Sequence, residues 1–229
     1  MRALKHHSLS LVFGALFLAA LVGQAIAGHA DYNDDERAHA QMSGDQPDTI
    51  SLGRYVVSSH FGNAVMENWQ SEYLQFALFA LLTVWLLQRG SPESKELDKA
   101  GRESDEDQLV GKHARADSPR WAKLDDWRRT VYENSLLLVM AVIFFGSWFA
   151  QSVTGWSVYN AEQLEHEQAK VSWLDYVGSA EFWEATLQNW QSEFLAVGSF
   201  AVLTIYLRQR GSPESKPVGE SHESTGVTG

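Results

Sequence analysis

A 28-residue segment occurs twice in this chain, each copy an apolar stretch bracketed by identical polar ends. Asn68 to Lys95 reads NWQSEYLQFALFALLTVWLLQRGSPESK, and Asn189 to Lys216 reads NWQSEFLAVGSFAVLTIYLRQRGSPESK. Nineteen of the 28 positions agree, and the agreement gathers in NWQSE at the front and QRGSPESK at the back. Long apolar runs constrain a chain severely. In lipid, a backbone must satisfy its own hydrogen bonds, and a helix does so within one segment.

Four apolar blocks can be marked: Ser8–Ala27, Trp69–Gln88, Asn134–Val153 and Ser192–Leu207. The first and third are about 20 residues, the length that crosses a hydrocarbon core of about 30 Å. The second and fourth reach that length only with NWQSE included. This sets Trp69 and Trp190 as anchors at one interface, with Arg89, Arg208 and Arg210 at the other, as Trp belts and snorkelling Arg favour. A soluble four-helix core is the competing reading, but runs of this kind leave no face for water. The pattern predicts an all-α fold: a four-span transmembrane bundle of two parallel two-helix repeats, with short interfacial helices.

The charges orient it. Of 18 Lys and Arg, fifteen fall in the N-terminal leader, the 89–133 loop and the tail, against three (Arg37, Arg54, Lys170) in the other two loops. The positive-inside rule then predicts a multi-pass inner-membrane protein with both termini and the middle loop cytoplasmic. Residues 1–95 form the first repeat, 96–120 a charged linker, 121–216 the second repeat, and 217–229 a disordered tail. Each repeat holds two spans, so both insert in the same orientation. The net charge of −11 argues against nucleic acid, which selects basic surfaces. No cysteine is present, which removes disulfides and thiolate metal sites.

The N-terminal stretch also resembles a signal peptide, with Arg2 and Lys5 before an apolar run and Ala25-Ile26-Ala27 before Gly28. Against cleavage, Ser8–His39 aligns without gaps to the internal Ser135–His166, matching at 10 of 32 positions, including Gln24/Gln151, Gly28/Gly155, Tyr32/Tyr159, Asn33/Asn160 and His39/His166. The first span therefore reads as retained. Ala15, Ala19, Gly23 and Ala27 add a small-residue stripe suited to close helix packing.

Outside the spans, Ser91-Pro92-Glu93 and Ser212-Pro213-Glu214 read as helix starts, with a Ser N-cap, Pro at the first position and an acid in the first turn. Trp121, Leu124, Trp127, Val131 and Tyr132 suggest a juxtamembrane helix. Trp173, Tyr176, Phe182 and Trp183 suggest an interfacial one, with a weaker counterpart around Tyr55 and Phe61.

For function, Glu72 and Glu193 are the leading polar candidates, since carboxylates inside membrane segments are costly and mark functional paths. Gln70 and Gln191 stand beside them in NWQSE. Gln24 and Gln151 occupy matching sites on the first and third spans, and pairing with the NWQSE groups would create a polar layer. Interhelical hydrogen bonding is the simpler role for all six. His39 and His166 are weak metal candidates among the acidic loops, without ligand spacing such as HExxH. No nucleophile–base order or phosphate loop occurs, so no cofactor is expected.

The paired NWQSE…QRGSPESK segments, with the GxxxYN and His39/His166 flanks, resemble an uncharacterised family of small bacterial membrane proteins, known only as a domain of unknown function. The resemblance covers nearly the whole chain and implies a bacterial inner-membrane protein without supplying an activity. The expected function is a non-catalytic scaffold or accessory envelope protein, in contact with the bilayer and with a membrane-protein partner or its own copies. A small channel or transporter using Glu72 and Glu193 is the alternative. A metal-dependent enzyme at the outer face is the third reading.

Overall fold

A computed structural model describes residues 5–44 and 46–229; Arg2, one of the charges counted above, lies outside them. The described residues form helices and loops and contain no strand. The α-helices are α1 (Ser8–Ser43), α2 (Leu52–Tyr55), α3 (Ser59–Leu82), α4 (Trp127–Glu133), α5 (Ser135–Glu165), α6 (Trp173–Val177) and α7 (Ala180–Tyr206), with 3-10 turns at Gly111–His113 and Arg120–Lys123.

Two of these helices, α1 and α5, are long and apolar enough to cross a membrane. Only 6% of the apolar window of α1 and 22% of that of α5 is buried within the protein. Leu9, Phe13, Leu16, Val139, Val142, Phe145 and Phe149 all stand exposed on them. A core helix of a soluble protein would bury such side chains.

The helices do not coincide with the apolar blocks read from hydropathy. The helix begun by the 8–27 block continues to Ser43, and the one begun by the 134–153 block continues to Glu165. Neither extension contains proline, so the hydrogen-bond ladder propagates past the apolar run, through Gly28 and Gly155. The 69–88 block ends early. Helix α3 starts ten residues before Trp69 and stops at Leu82, leaving Thr83–Trp85 in a turn. Gly101 N–H reaches Val84 C=O at 2.7 Å and holds that turn. The apolar part of α3, from Tyr73 to Leu82, spans about 15 Å at 1.5 Å per residue. Helix α7 covers the 192–207 block up to Tyr206 but begins at Ala180, capped by the Ser179 hydroxyl. NWQSE thus sits inside two long helices, well away from their first turns.

The chain divides into two compact units: Met1–Val65 with Ala150–Tyr176, and Met66–Phe149 with Val177–Gly229. In the first unit the GxxxYN flank folds the same way twice. Asn33 accepts from Ile50 N–H at 2.8 Å and donates to Ile50 C=O at 3.0 Å, and Asn160 does the same with Val171 at 2.8 and 3.1 Å. A side-chain amide here pairs with a loop peptide as another peptide would. The same carbonyls meet the His29 ring at 2.7 Å and the Trp156 indole N–H at 2.9 Å. Tyr55 and Tyr176 follow on α2 and α6, only 6% and 5% exposed. Their hydroxyls lie where a Cβ on Gly28 or Gly155 would be, which is why the motif needs glycine. Tyr32 and Tyr159 complete the packing, with ring centroids 6.0 and 5.4 Å from Tyr55 and Tyr176.

The expected interfacial helix is interrupted. Trp173 and Tyr176 lie on α6, whereas Phe182 and Trp183 open α7. Its counterpart, with Tyr55 on α2 and Phe61 on α3, is equally formed. The basic aromatic stretch folds as the 3-10 turn Arg120–Lys123 and α4, which Asp126 caps through Arg128 N–H at 2.9 Å. Arg129 on α4 contacts Asp105 at 3.6 Å, Asp125 at 3.2 Å and Glu133 at 3.2 Å, tying the charged linker to the helix.

Candidate functional site

The RGSPESK segments were expected to begin helices. They close instead into two matching loops. Gly90 and Gly211 both take φ +82°, a left-handed turn that favours glycine. Ser91 N–H then reaches Gln88 C=O at 3.1 Å, as Ser212 N–H reaches Gln209 C=O at 3.1 Å. The Ser94 and Ser215 hydroxyls accept from Gln88 and Gln209 N–H, both at 2.9 Å. Ser91 and Ser212 accept from Glu93 and Glu214 N–H at 3.2 Å. Serine side chains here take up the backbone donors that a helix would have used.

The lysine closing each motif is a tie to the segment that follows. Lys95 donates to Gly101 C=O at 2.7 Å and pairs with Glu103. Lys216, only 1% exposed, donates to the carbonyls of Gly90 at 2.7 Å, Ser221 at 2.9 Å, His222 at 3.1 Å and Ser224 at 3.1 Å. Burial and the nearby Arg208 push its pKa down. Residues 217–229, expected to be disordered, are therefore held in place. Gly226 N–H reaches Ser91 C=O at 3.0 Å, and the Thr225 hydroxyl accepts from Gly90 N–H at 2.9 Å. Composition gave no sign of this, because Gly90, which donates to Thr225, lies 135 positions away.

In the same unit the two NWQSE copies meet. The Trp190 indole donates to Gln70 Oε1 at 2.6 Å, and Asn189 donates to Glu67 at 2.9 Å. Their environments differ. Gln70 is fully buried, with its amide nitrogen lacking a partner, whereas Gln191 is exposed. Glu72 is exposed and Glu193 half-buried, close enough for their charges to interact. An aromatic cluster biases the second copy. Trp148 stacks on Phe144 and Phe182 and lies 5.6 Å from Trp190 and 5.9 Å from Trp183. The aligned position in the first repeat is Leu21, which cannot build that cluster.

Of the remaining candidates, Gln151 is buried with its carbonyl oxygen unpartnered, while Gln24 is half-buried. Trp69 packs on Tyr73 at 6.4 Å. Arg89 lies 3.7 Å from Glu223, and Arg210 is exposed. His39 faces Glu165 at 3.6 Å, and His166 is exposed. Among the described residues no group of three or more side chains is placed to hold a metal ion.

One feature escaped the sequence reading. Helices α3 and α7 flank a hollow of about 340 Å³, lined by Gln75, Phe76, Phe79 and Glu93 and by Ala196, Val197, Phe200 and Glu214. These are four repeat-equivalent pairs, each 121 positions apart, as are Asn68 and Asn189. Glu93 lies beside Glu214, and burial together with that neighbour raises its pKa. The available signal was the duplication itself, since equivalent residues can converge on an axis relating two repeats. Chemically, the arrangement can share a proton or hold a cation. Its lining holds no hydroxyl, thiol or amine.

A family model described as "Domain of unknown function (DUF6766)" matches residues 1–227. No curated protein and no solved structure matches the chain significantly.

Proposed function

The chain belongs to the DUF6766 family, and from that premise we propose that it is a four-span protein of the bacterial inner membrane, with both termini and the middle loop cytoplasmic, acting without catalysis as a scaffold or accessory envelope component. The observation that carries this reading is where the repeated polar groups go. GxxxYN clasps the loop before α2 or α6, RGSPESK closes on itself, and NWQSE joins α3 to α7. The residues that make these contacts hold helices and loops together. The exposed apolar faces of α1 and α5 support the membrane setting, and Phe194, Leu195, Val202 and Leu203 on α7 extend the same property.

The absence of cysteine makes topology directly testable. Single cysteines at Asp107, Glu162, Asp48 and Glu223 are labelled in intact cells and in inverted vesicles with a membrane-impermeant maleimide. Positions 107 and 223 are expected to react only in inverted vesicles, and 48 and 162 only in intact cells. Labelling of 107 and 162 from one side removes the four-span reading. Mild cross-linking in native membranes tests the scaffold role, with a stoichiometric membrane-protein partner or second copy expected. A protein that remains alone and carries a substrate into liposomes overturns it.

A small transporter or channel is the second reading, favoured by the hollow between equivalent faces of α3 and α7, with two carboxylates at its edge. Ion flux into liposomes distinguishes it from a scaffold. Among the described residues no group of three or more metal-ligating side chains forms at His39 or His166.

A further inference from the structure

We propose that the hollow flanked by α3 and α7 is a binding site for a small organic ammonium ion with an apolar body. The inference goes beyond both readings above and uses only the internal geometry of the second unit.

Three observations point to this class of ligand. First, the volume of about 340 Å³ lies in the range of small-molecule sites. Second, the lining is divided. Phe76, Phe79, Val197 and Phe200 supply apolar and aromatic walls, while Glu93 and Glu214 supply two carboxylates. Aromatic faces attract organic cations, and the paired acids complete the charge complementarity. Third, the two acids conflict with each other. Glu93 is half-buried beside the exposed Glu214, and a cation between them would relieve the repulsion of their charges. An ammonium group beside both would do this and keep its apolar portion against the phenylalanines.

The same geometry disfavours other occupants. Calcium takes six to eight oxygen ligands and magnesium an octahedral shell. The hollow offers two carboxyl groups and the Gln75 amide, and its other lining residues are apolar. A zwitterionic lipid headgroup would bring its phosphate towards the acids. A free organic cation meets neither objection.

The test uses the full chain purified in a neutral detergent, with benzyltrimethylammonium as probe and benzyl alcohol and benzoate as neutral and anionic comparisons. Binding is followed by calorimetry at fixed ionic strength. Saturable binding of the cation alone is expected, weakened at least tenfold by Glu93→Gln with Glu214→Gln. Glu72→Gln with Glu193→Gln should leave the affinity within twofold. Helical circular dichroism verifies folding, and where the first double variant fails to fold, Glu214→Gln alone is used, because that side chain is exposed. Phe79→Leu is expected to weaken the probe more than tetramethylammonium, which lacks the aromatic body. No saturable binding, equal binding by the Glu93/Glu214 variant, equal binding of benzyl alcohol, or complete displacement by matched magnesium would each overturn the proposal.

Discussion

Gly28 and Gly155 show how much a single residue contributes. At each, a Cβ would collide with the hydroxyl of a buried tyrosine, Tyr55 or Tyr176. Gly28→Ala should destabilise the protein by about 1–3 kcal/mol, the usual cost of overpacking. Tyr55→Phe in the same chain should recover part of the loss, since the hydroxyl is the nearest atom. Thermal unfolding in detergent of the two single variants and the double variant checks this, and simple additivity would reject the explanation.

Glu93 behaves differently, since its pKa is raised by burial and by Glu214. A folded carboxyl with a raised pKa lowers stability as pH rises from its ordinary unfolded value through its folded one. Glu93→Gln removes that loss. The variant should unfold at a higher temperature than the parent at pH 7, with the difference shrinking below the ordinary glutamate range. A constant difference across that pH series would contradict the assigned cause.

At the scale of the element, the two RGSPESK loops share a hydrogen-bond pattern but not their surroundings. A Cβ on Gly90 would strike the backbone oxygen of His222, while nothing lies near one on Gly211. Both also need a positive φ. Gly211→Ala should therefore cost about 1 kcal/mol, the ordinary glycine-to-alanine penalty of a left-handed turn, and Gly90→Ala distinctly more. The difference should shrink in a chain ending at Lys216, because the His222 carbonyl has then gone while Ile205 Cγ2 stays 3.0 Å from that Cβ. Unfolding midpoints of the four proteins decide the matter.

The clasps make a related prediction. Asn160→Ala removes both bonds to the Val171 peptide. At about 1 kcal/mol for each hydrogen bond, it should loosen the segment before α6. Proteolysis between Glu167 and Ser172 should then accelerate, with the cutting rate elsewhere unchanged.

The legibility of the helices differed by kind. Length and hydropathy located α1 and α5, since apolar runs of that size have few other solutions. They misplaced the end of α3, because Thr83–Leu87 remains apolar while its backbone is diverted by Gly101. Ser-Pro-Glu resembled a helix start because that local pattern is shared with turns. The deciding partners, Gln88 N–H with Ser94 and Gln209 N–H with Ser215, become visible only when the loop is closed.

For the whole molecule, the duplicated sequence does not give a uniformly duplicated environment. The clasps and closed loops repeat faithfully, but the NWQSE layer does not, and Trp148 against Leu21 accounts for the bias. Trp148→Leu should remove the stacking on Phe144, Phe182 and Trp190, at a cost of about 3 kcal/mol for a large aromatic truncation in a packed cluster. Tryptophan fluorescence should shift to the red as Trp190 loses its neighbours, and an unchanged spectrum would count against the cluster as the source of the asymmetry.

The sequence by itself determined that the protein is helical and that a segment of it recurs, and it located the apolar runs of α1 and α5 that suit a bilayer. Those properties follow from the order of apolar and polar residues along the chain, which hydropathy and internal alignment read directly. Only the tertiary structure decided that the tail is folded, that Lys216 is enclosed by carbonyls, and that Glu93 and Glu214 edge one hollow. These are encounters between residues more than a hundred positions apart in the first and last cases, apart from the tail's short-range bonds to Lys216. A linear pattern carries no distance between such residues until the repeats have packed.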